Sequence, residues 1–259
     1  GVTVSGIAAN DKVYDATTNA TVSTTNAVLT GKVAGDDLNV SATGVFVSKN
    51  VNAAQGVSLT SSYTGADLAN YQLTDQTSTT AAITPKALTV SGFVANNKVY
   101  DGDVVATIDA TNVMLAGLIS GDVVTASATG TFDNRNVGTA KVVTLTSTYA
   151  GVDRNNYAIT NQASSTANIT PKLLTIGGIT AADKTYDKTN AATVSLGGVT
   201  KAGLVLNDEV NVAATGVFSD ENAANGKTVT LTSTYSGAHV GNYTITSQAS
   251  TTANITPLD

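Results

Sequence analysis

The chain has 259 residues, 13 Lys+Arg against 19 Asp+Glu for a formal net charge of −6, a single histidine, His239, and no cysteine. That composition excludes a disulfide framework and a thiolate metal site, and it lacks the basic footprint of a nucleic-acid binder. With so little acid–base or zinc-binding equipment, an enzyme is not expected.

Taken from its start, the chain repeats itself. Lys12-Val13-Tyr14-Asp15 returns as Lys98-Val99-Tyr100-Asp101-Gly102 and again as Lys184-Thr185-Tyr186-Asp187, a constant step of 86 residues (12, 98, 184). Ala42-Thr43-Gly44, Asn70-Tyr71 and Ile83-Thr84-Pro85 recur at the same step. Solenoid units have periods of roughly 20–50 residues, so a unit this long reads as a small domain. The expected organisation is three tandem domains, 1–85, 86–171 and 172–259. Only Pro85-Lys86 and Pro171-Lys172 separate the last strand of one copy from the first of the next. Such a junction is too short and stiff for a floppy tether, and a semi-rigid rod is expected, each copy adding roughly 30–40 Å.

Within a copy the pattern is strand-like. Val143, Leu145, Ser147 and Tyr149 alternate with threonines, the period of a half-buried strand, and the same residues recur in the other copies. In the second copy strands are expected at 88–94, 98–100, 105–108, 122–132, 141–149, 156–160 and 164–170. Asn96-Asn97, Asp101-Gly102, Gly121-Asp122 and the 133–138 and 151–155 segments supply the turns. Residues 110–119 are read as a helical turn. The fold class is therefore all-β: three immunoglobulin-like β-sandwich domains.

All nine tyrosines sit at repeat positions, and Phe46, Phe132 and Phe218 follow the same register. They are read as core residues, each tyrosine tipping its hydroxyl to the rim. Around Asn70-Tyr71 the sequence has the form of a tyrosine corner, in which the hydroxyl bonds the backbone a few residues upstream. The recurrent polar set is Lys12, Asp15 and Asn70; Lys98, Asp101 and Asn156; and Lys184, Asp187 and Asn242. One reading is structural: the lysine and aspartate pair or cap turns, and the asparagine takes a left-handed turn before Tyr71, Tyr157 or Tyr243. The sharper reading borrows from Gram-positive surface adhesins, where a buried lysine and asparagine condense into an isopeptide bond. Asp36-Asp37, Asp122, Asp133, Asp208-Glu209 and Asp220-Glu221 are assigned to turn chemistry. No cofactor is expected. Calcium needs about six to eight oxygens and stays open only as a junction ion.

The ordered blocks, from Lys-x-Tyr-Asp-Gly through Gly121-Asp122, Ala128-Thr129-Gly130, Asn136-Val137-Gly138 and Asn156-Tyr157 to Ile169-Thr170-Pro171-Lys172, resemble the YDG-type repeat of large bacterial surface adhesins, including filamentous-haemagglutinin-like proteins secreted by two-partner systems. Copies one and three depart from it at Ala16 and Lys188, where the family favours glycine. The resemblance implies an extracellular stalk that projects an adhesive domain, in adhesion or biofilm formation, and gives no catalytic residue to carry over. Its expected partners are neighbouring repeats of the same chain, with no nucleic acid, no membrane insertion and a monomeric state. The alternative is an array that itself binds a matrix polysaccharide, a host glycan or a protein. Because Gly1–Gly6 matches 87–92 with no Ile-Thr-Pro-Lys before it, the chain also reads as part of a longer array.

Overall fold

A computed structural model describes residues 1–259. The first copy sets the pattern with β1 (Val2–Ser5), β2 (Ala8–Ala9), β3 (Lys12–Val13), β4 (Asn19–Ala20), β5 (Val22–Ser23), β6 (Val28–Thr30), β7 (Asn39–Phe46), β8 (Asn52–Thr64), β9 (Leu73–Thr74) and β10 (Ser78–Thr84). A three-stranded sheet runs β6-β1-β9 and a five-stranded sheet runs β3-β10-β8-β7-β4. The same two strand orders recur in the second and third copies, so the chain is all-β, with three repeated β-rich units. Its helical turns are three short 3₁₀ segments, Leu68–Asn70, Arg154–Asn156 and Val240–Asn242.

Alternation along β8 explains its place. Val57 and Leu59 are buried while Ser58 and Thr60 face water, so one face packs and the other is hydrated. Those side chains join Val4, Ile7, Tyr14, Phe46 and Ile83 in one apolar cluster between the sheets. Burying a valine or leucine fully contributes about 1.5–3 kcal/mol. Gly44 is needed on β7 because a Cβ there would lie 2.5 Å from Val22 Cγ2 of β5 and 2.9 Å from Val57 Cγ1 of the neighbouring β8. Gly130 and Gly216 are crowded in the same way, which gives the Ala-Thr-Gly block its reason.

Two pairings lie outside what alternation reports. β1 runs parallel to β9, and β3 runs parallel to β10, so the opening segment of the copy is shared between both sheets. The 110–119 segment is not helical. Met114–Ala116 is a strand, antiparallel to β11 (Lys86–Ser91), with Thr89 opposite Ala116 and Ser91 opposite Met114. Leu115 packs against the core cluster, and that tertiary contact overrides the local preference.

By packing, the chain divides into two compact units, one of residues 1–93, 110–128 and 147–162, the other of 94–109, 129–146 and 163–259. The first unit therefore holds the whole first copy together with β11, Met114–Ala116 and Tyr157–Thr160 of the second. Its core is continuous across Pro85, because Leu88, Val124 and Tyr157 belong to the same cluster as Tyr14 and Phe46. Only Pro85 separates β10 from β11, which leaves no slack for the second copy's sheet to stand away from the first.

The turn after Tyr-Asp keeps one geometry in every copy despite the substitutions. Gly102 has φ 83°, and Ala16 and Lys188 both have φ 64°. A side chain in that region is strained by about 1 kcal/mol. Ala16 packs its methyl on the core cluster, whereas Lys188 is exposed. Lys188→Gly is therefore expected to raise stability by about 0.5–1 kcal/mol in denaturant unfolding, with Ala16→Gly gaining less because it forfeits packing.

Candidate functional site

The recurrent motif residues divide into two groups with different work. The lysines are clamps within their own copy. Lys12 Nζ donates to Asp15 (2.7 Å), to the Thr17 carbonyl (2.8 Å) and to the Asn19 carbonyl (3.0 Å), and lies 5.3 Å from the centre of the Phe46 ring. Lys98 with Asp101, and Lys184 with Asp187, repeat the arrangement above Phe132 and Phe218. Hydrogen bonds from Lys184 and from Thr189 hold the Asp187 carboxyl down at about 2. Each ammonium thus ties the motif loop to the start of the next strand.

Tyr14, Asn156 and Tyr157, and again Tyr100, Asn242 and Tyr243, act across a repeat boundary, whereas Tyr71 bonds within the first copy. At the first junction Tyr14 follows β3, and Lys49, Asn50 and Val51 form the turn between β7 and β8. The second copy supplies Asp122, Asp153, Asn156 and Tyr157. Tyr14 OH donates to Asp122 Oδ1 at 3.2 Å and Tyr157 OH donates to Asp122 Oδ2 at 2.5 Å. Lys49 Nζ lies 3.4 Å from Asp122 and 3.3 Å from Asp153. Asn156 accepts the Val51 N–H at 3.0 Å and donates to Asn50 Oδ1 at 3.2 Å. The two tyrosine rings meet edge to face, centres 5.6 Å apart.

The second junction repeats this with Tyr100, Arg135, Asn136 and Val137 from the second copy and Asp208, His239, Asn242 and Tyr243 from the third. Asp208 Oδ2 accepts from Tyr100 (2.8 Å) and Tyr243 (2.5 Å), and Arg135 Nη2 lies 3.1 Å from Oδ1. Asn242 accepts the Val137 N–H at 2.9 Å and donates to Asn136. Tyr100 and Tyr243 stack edge to face at 5.5 Å. Each junction therefore places one buried carboxylate between a tyrosine from either copy, with a cation beside it.

Burial pushes the Asp208 carboxyl up, but the Tyr243 and Tyr100 hydroxyls and the neighbouring His239 and Arg135 outweigh it and hold the group below its ordinary value. Asp122 is lowered too: burial works against it and Tyr157, Tyr14 and Lys49 prevail. Tyr157 and Tyr243 are pushed up to about 12, first by burial and then by the carboxylate each one bonds. A phenol whose folded value exceeds its unfolded one, about 10, stabilises the fold fully below that unfolded value and loses the contribution as pH rises through the folded value. Stability is therefore expected to fall between pH ~10 and ~12 in denaturant titrations, and less steeply in the Tyr157→Phe and Tyr243→Phe variants.

Several sequence expectations change here. Asn70, Asn156 and Asn242 do not occupy left-handed turns; each closes a 3₁₀ segment. Tyr71 OH accepts the Val33 N–H at 2.9 Å, 38 residues upstream, so the hydroxyl anchors a distant loop and not the local corner. Tyr157 and Tyr243 do the same with Ile119 and Val205. The lysine and asparagine that an isopeptide bond would join take separate partners: Lys184 holds its own loop, while Asn242 bonds Asn136 and Val137. Asp122 and Asp208, assigned to turns, are junction acceptors. Their constant step with Asp36, after Gly35, Gly121 and Asn207, was the available signal. Also unread in the sequence was Gln76, whose side-chain amide bonds both the N–H and the carbonyl of Ile7, with Gln162 on Phe93 and Gln248 on Ile179 doing likewise.

No curated protein matches the chain. Among solved structures, the crystal structure of Drosophila N-cadherin EC1-4 is 7% identical, with 100% of this chain and 75% of that chain covered at a TM-score of 0.33. The I9-I11 tandem of titin is 10% identical over 98% and 99% of the two chains, at a TM-score of 0.19. Likenesses that distant bear on neither function nor junction geometry. The model of the YDG domain, in contrast, matches residues 1–80, 84–167 and 170–253, nearly the full length. With the Tyr-Asp block and the Asn-Tyr block both in place in every copy, this chain belongs to the YDG domain family and carries three tandem copies of the domain.

Proposed function

We propose that the chain is a run of extender repeats in a bacterial cell-surface adhesin, outside the cell, where it sets the distance between the surface and an adhesive domain. The observation that carries this reading is the junction: the Tyr-Asp tyrosine of one copy and the Asn-Tyr tyrosine of the next meet on a shared buried aspartate at Asp122 and again at Asp208. Motif residues spent on joining copies are what a spacer needs, since its reach scales with copy number. The reading assigns no catalysis and no cofactor. Small-angle scattering of the chain tests it: a maximum dimension near three domains end to end, at roughly 30–40 Å each, is expected, and a compact particle would refute it.

A binding array has less support. Tyr14 and Tyr100 are each 1% exposed and offer no stacking face to a sugar. An open hollow of about 340 Å³ is lined by Tyr149, Arg154, Asn155, Tyr157, Ile159 and Asn161. Arg154 and Asn155 are replaced by Leu68 and Ala69 in the first copy and by Val240 and Gly241 in the third, so the hollow is not a repeated feature. Glycan-array binding by the chain would revive that reading.

A further inference from the structure

Three positions of the second copy differ from their counterparts in one direction. Arg154, Asn155 and Asn161 stand where the first copy has Leu68, Ala69 and Asp75 and the third has Val240, Gly241 and Ser247. All three line the open hollow of about 340 Å³. Its remaining walls are Tyr149, Tyr157 and Ile159, which every copy keeps as two tyrosines and a leucine or isoleucine. The changes thus converge on one concavity, and each brings side-chain N–H donors to it.

Those donors are not used by the protein. Of the two arginines in the chain, Arg135 sits on Asp208, whereas the Arg154 side chain is exposed and has no acceptor. Asn155 is exposed beside it. Tyr149 OH donates to Asn161 Oδ1 at 2.6 Å, so the amide oxygen already has a donor and the Nδ2 protons stay free. In the first copy the matching tyrosine, Tyr63, bonds the Asp75 carboxylate, which would repel an anion. In the third, Tyr235 bonds the Ser247 hydroxyl, with no cation nearby at Val240. No acidic residue lines the second copy's hollow.

We propose that the second copy carries a single binding site for a carboxylated sugar, a hexuronate, held between Arg154 and the wall of Tyr149, Tyr157 and Ile159. A planar guanidinium matches a carboxylate with two parallel N–H bonds, which a sugar hydroxyl cannot accept. Asn155 and the Asn161 Nδ2 group serve the ring hydroxyls, and the aromatic and aliphatic wall takes the C–H face of the pyranose. The hollow falls within the roughly 300–1,000 Å³ of small-ligand sites, though open enough to hold one sugar only weakly. A site in one copy of three is distinct from an array in which every copy binds, and the inference holds whether or not the chain is a stalk.

Nuclear magnetic resonance titration of the full chain tests it, with methyl glucuronide, methyl glucoside and acetate as probes. Glucuronide is expected to shift the Arg154 Nε–H signal and backbone signals within 149–161, with a dissociation constant on the order of 1 mM for so small a ligand and weaker binding in high salt. Glucoside, which lacks the carboxylate, and acetate, which lacks the ring, are each expected to bind at least about tenfold more weakly. Arg154→Leu installs the residue that the first copy carries naturally, and it should abolish the glucuronide shifts. Leu68→Arg/Ala69→Asn/Asp75→Asn transfers the three donors to the first copy and should add glucuronide shifts within 63–75. The proposal is overturned by a chain that binds no glucuronide, by glucoside or acetate binding as tightly, by glucuronide shifts that persist in Arg154→Leu, or by a folded triple variant without the second set of shifts.

Discussion

Asp208→Ala is expected to lower the stability of the chain by about 3–5 kcal/mol, the cost of removing one member of a buried, hydrogen-bonded charge pair. The side chain is fully buried and three groups depend on it: the hydroxyls of Tyr100 and Tyr243, and the Arg135 guanidinium. Alanine leaves two phenol donors and a cation without their acceptor, and each buried unsatisfied donor costs about 1–3 kcal/mol. Asp122→Ala should behave alike, since Tyr14, Tyr157 and Lys49 surround it in the same way. Asp36→Ala is the control. Asp36 accepts from Tyr71 alone among the junction groups, so a loss of about 1 kcal/mol is expected. Denaturant unfolding of the three variants measures the contrast, and equal losses at Asp36 and Asp208 would show that the carboxylate serves its own copy only. The acid limb carries a second signature. Because the folded carboxyls of Asp122 and Asp208 lie below their ordinary value, their contribution is present above pH ~4 and is lost as pH falls through the depressed folded values. Asp208→Ala should flatten that limb.

Tyr100→Ala is the second large effect, at about 4–5 kcal/mol. The ring is 1% exposed, meets Tyr243 edge to face and donates to Asp208, so truncation opens a cavity and strands an acceptor. Tyr186 occupies the same motif position, one step of 86 later, but is half-buried against an open hollow. Tyr186→Ala is expected to cost about 1–2 kcal/mol. Calorimetry of the two variants separates a core role from a junction role: a tyrosine that mattered only to its own sandwich would give similar losses at both positions. Tyr100→Phe isolates the hydroxyl and should fall between, at about 1–2 kcal/mol.

Strand positions were legible because period-2 alternation is a local signal. The 164–170 strand stands as read, 141–149 extends to Gly138–Ala150, and 122–132 shortens to Thr125–Phe132. The miss at 110–119 has a tertiary cause, since Met114–Ala116 is a strand through its pairing with β11 and through Leu115 against the core. Tyr14 and Tyr157 were legible as large apolar residues. Their hydroxyls were not placed correctly, since the acceptor of Tyr14 lies 108 residues away in another copy.

The sequence by itself determined the number of copies, the all-β class and which residues recur, because each is encoded in composition and in periodicity along the chain. Tertiary structure alone decided that Asp122 and Asp208 are buried acceptors, that Asn156 and Asn242 reach across a boundary, and that β1 and β3 pair in parallel with distant strands. Burial and charge pairing depend on what arrives from elsewhere in the chain, and a carboxylate in a turn has the same spelling whether it meets water or two tyrosines.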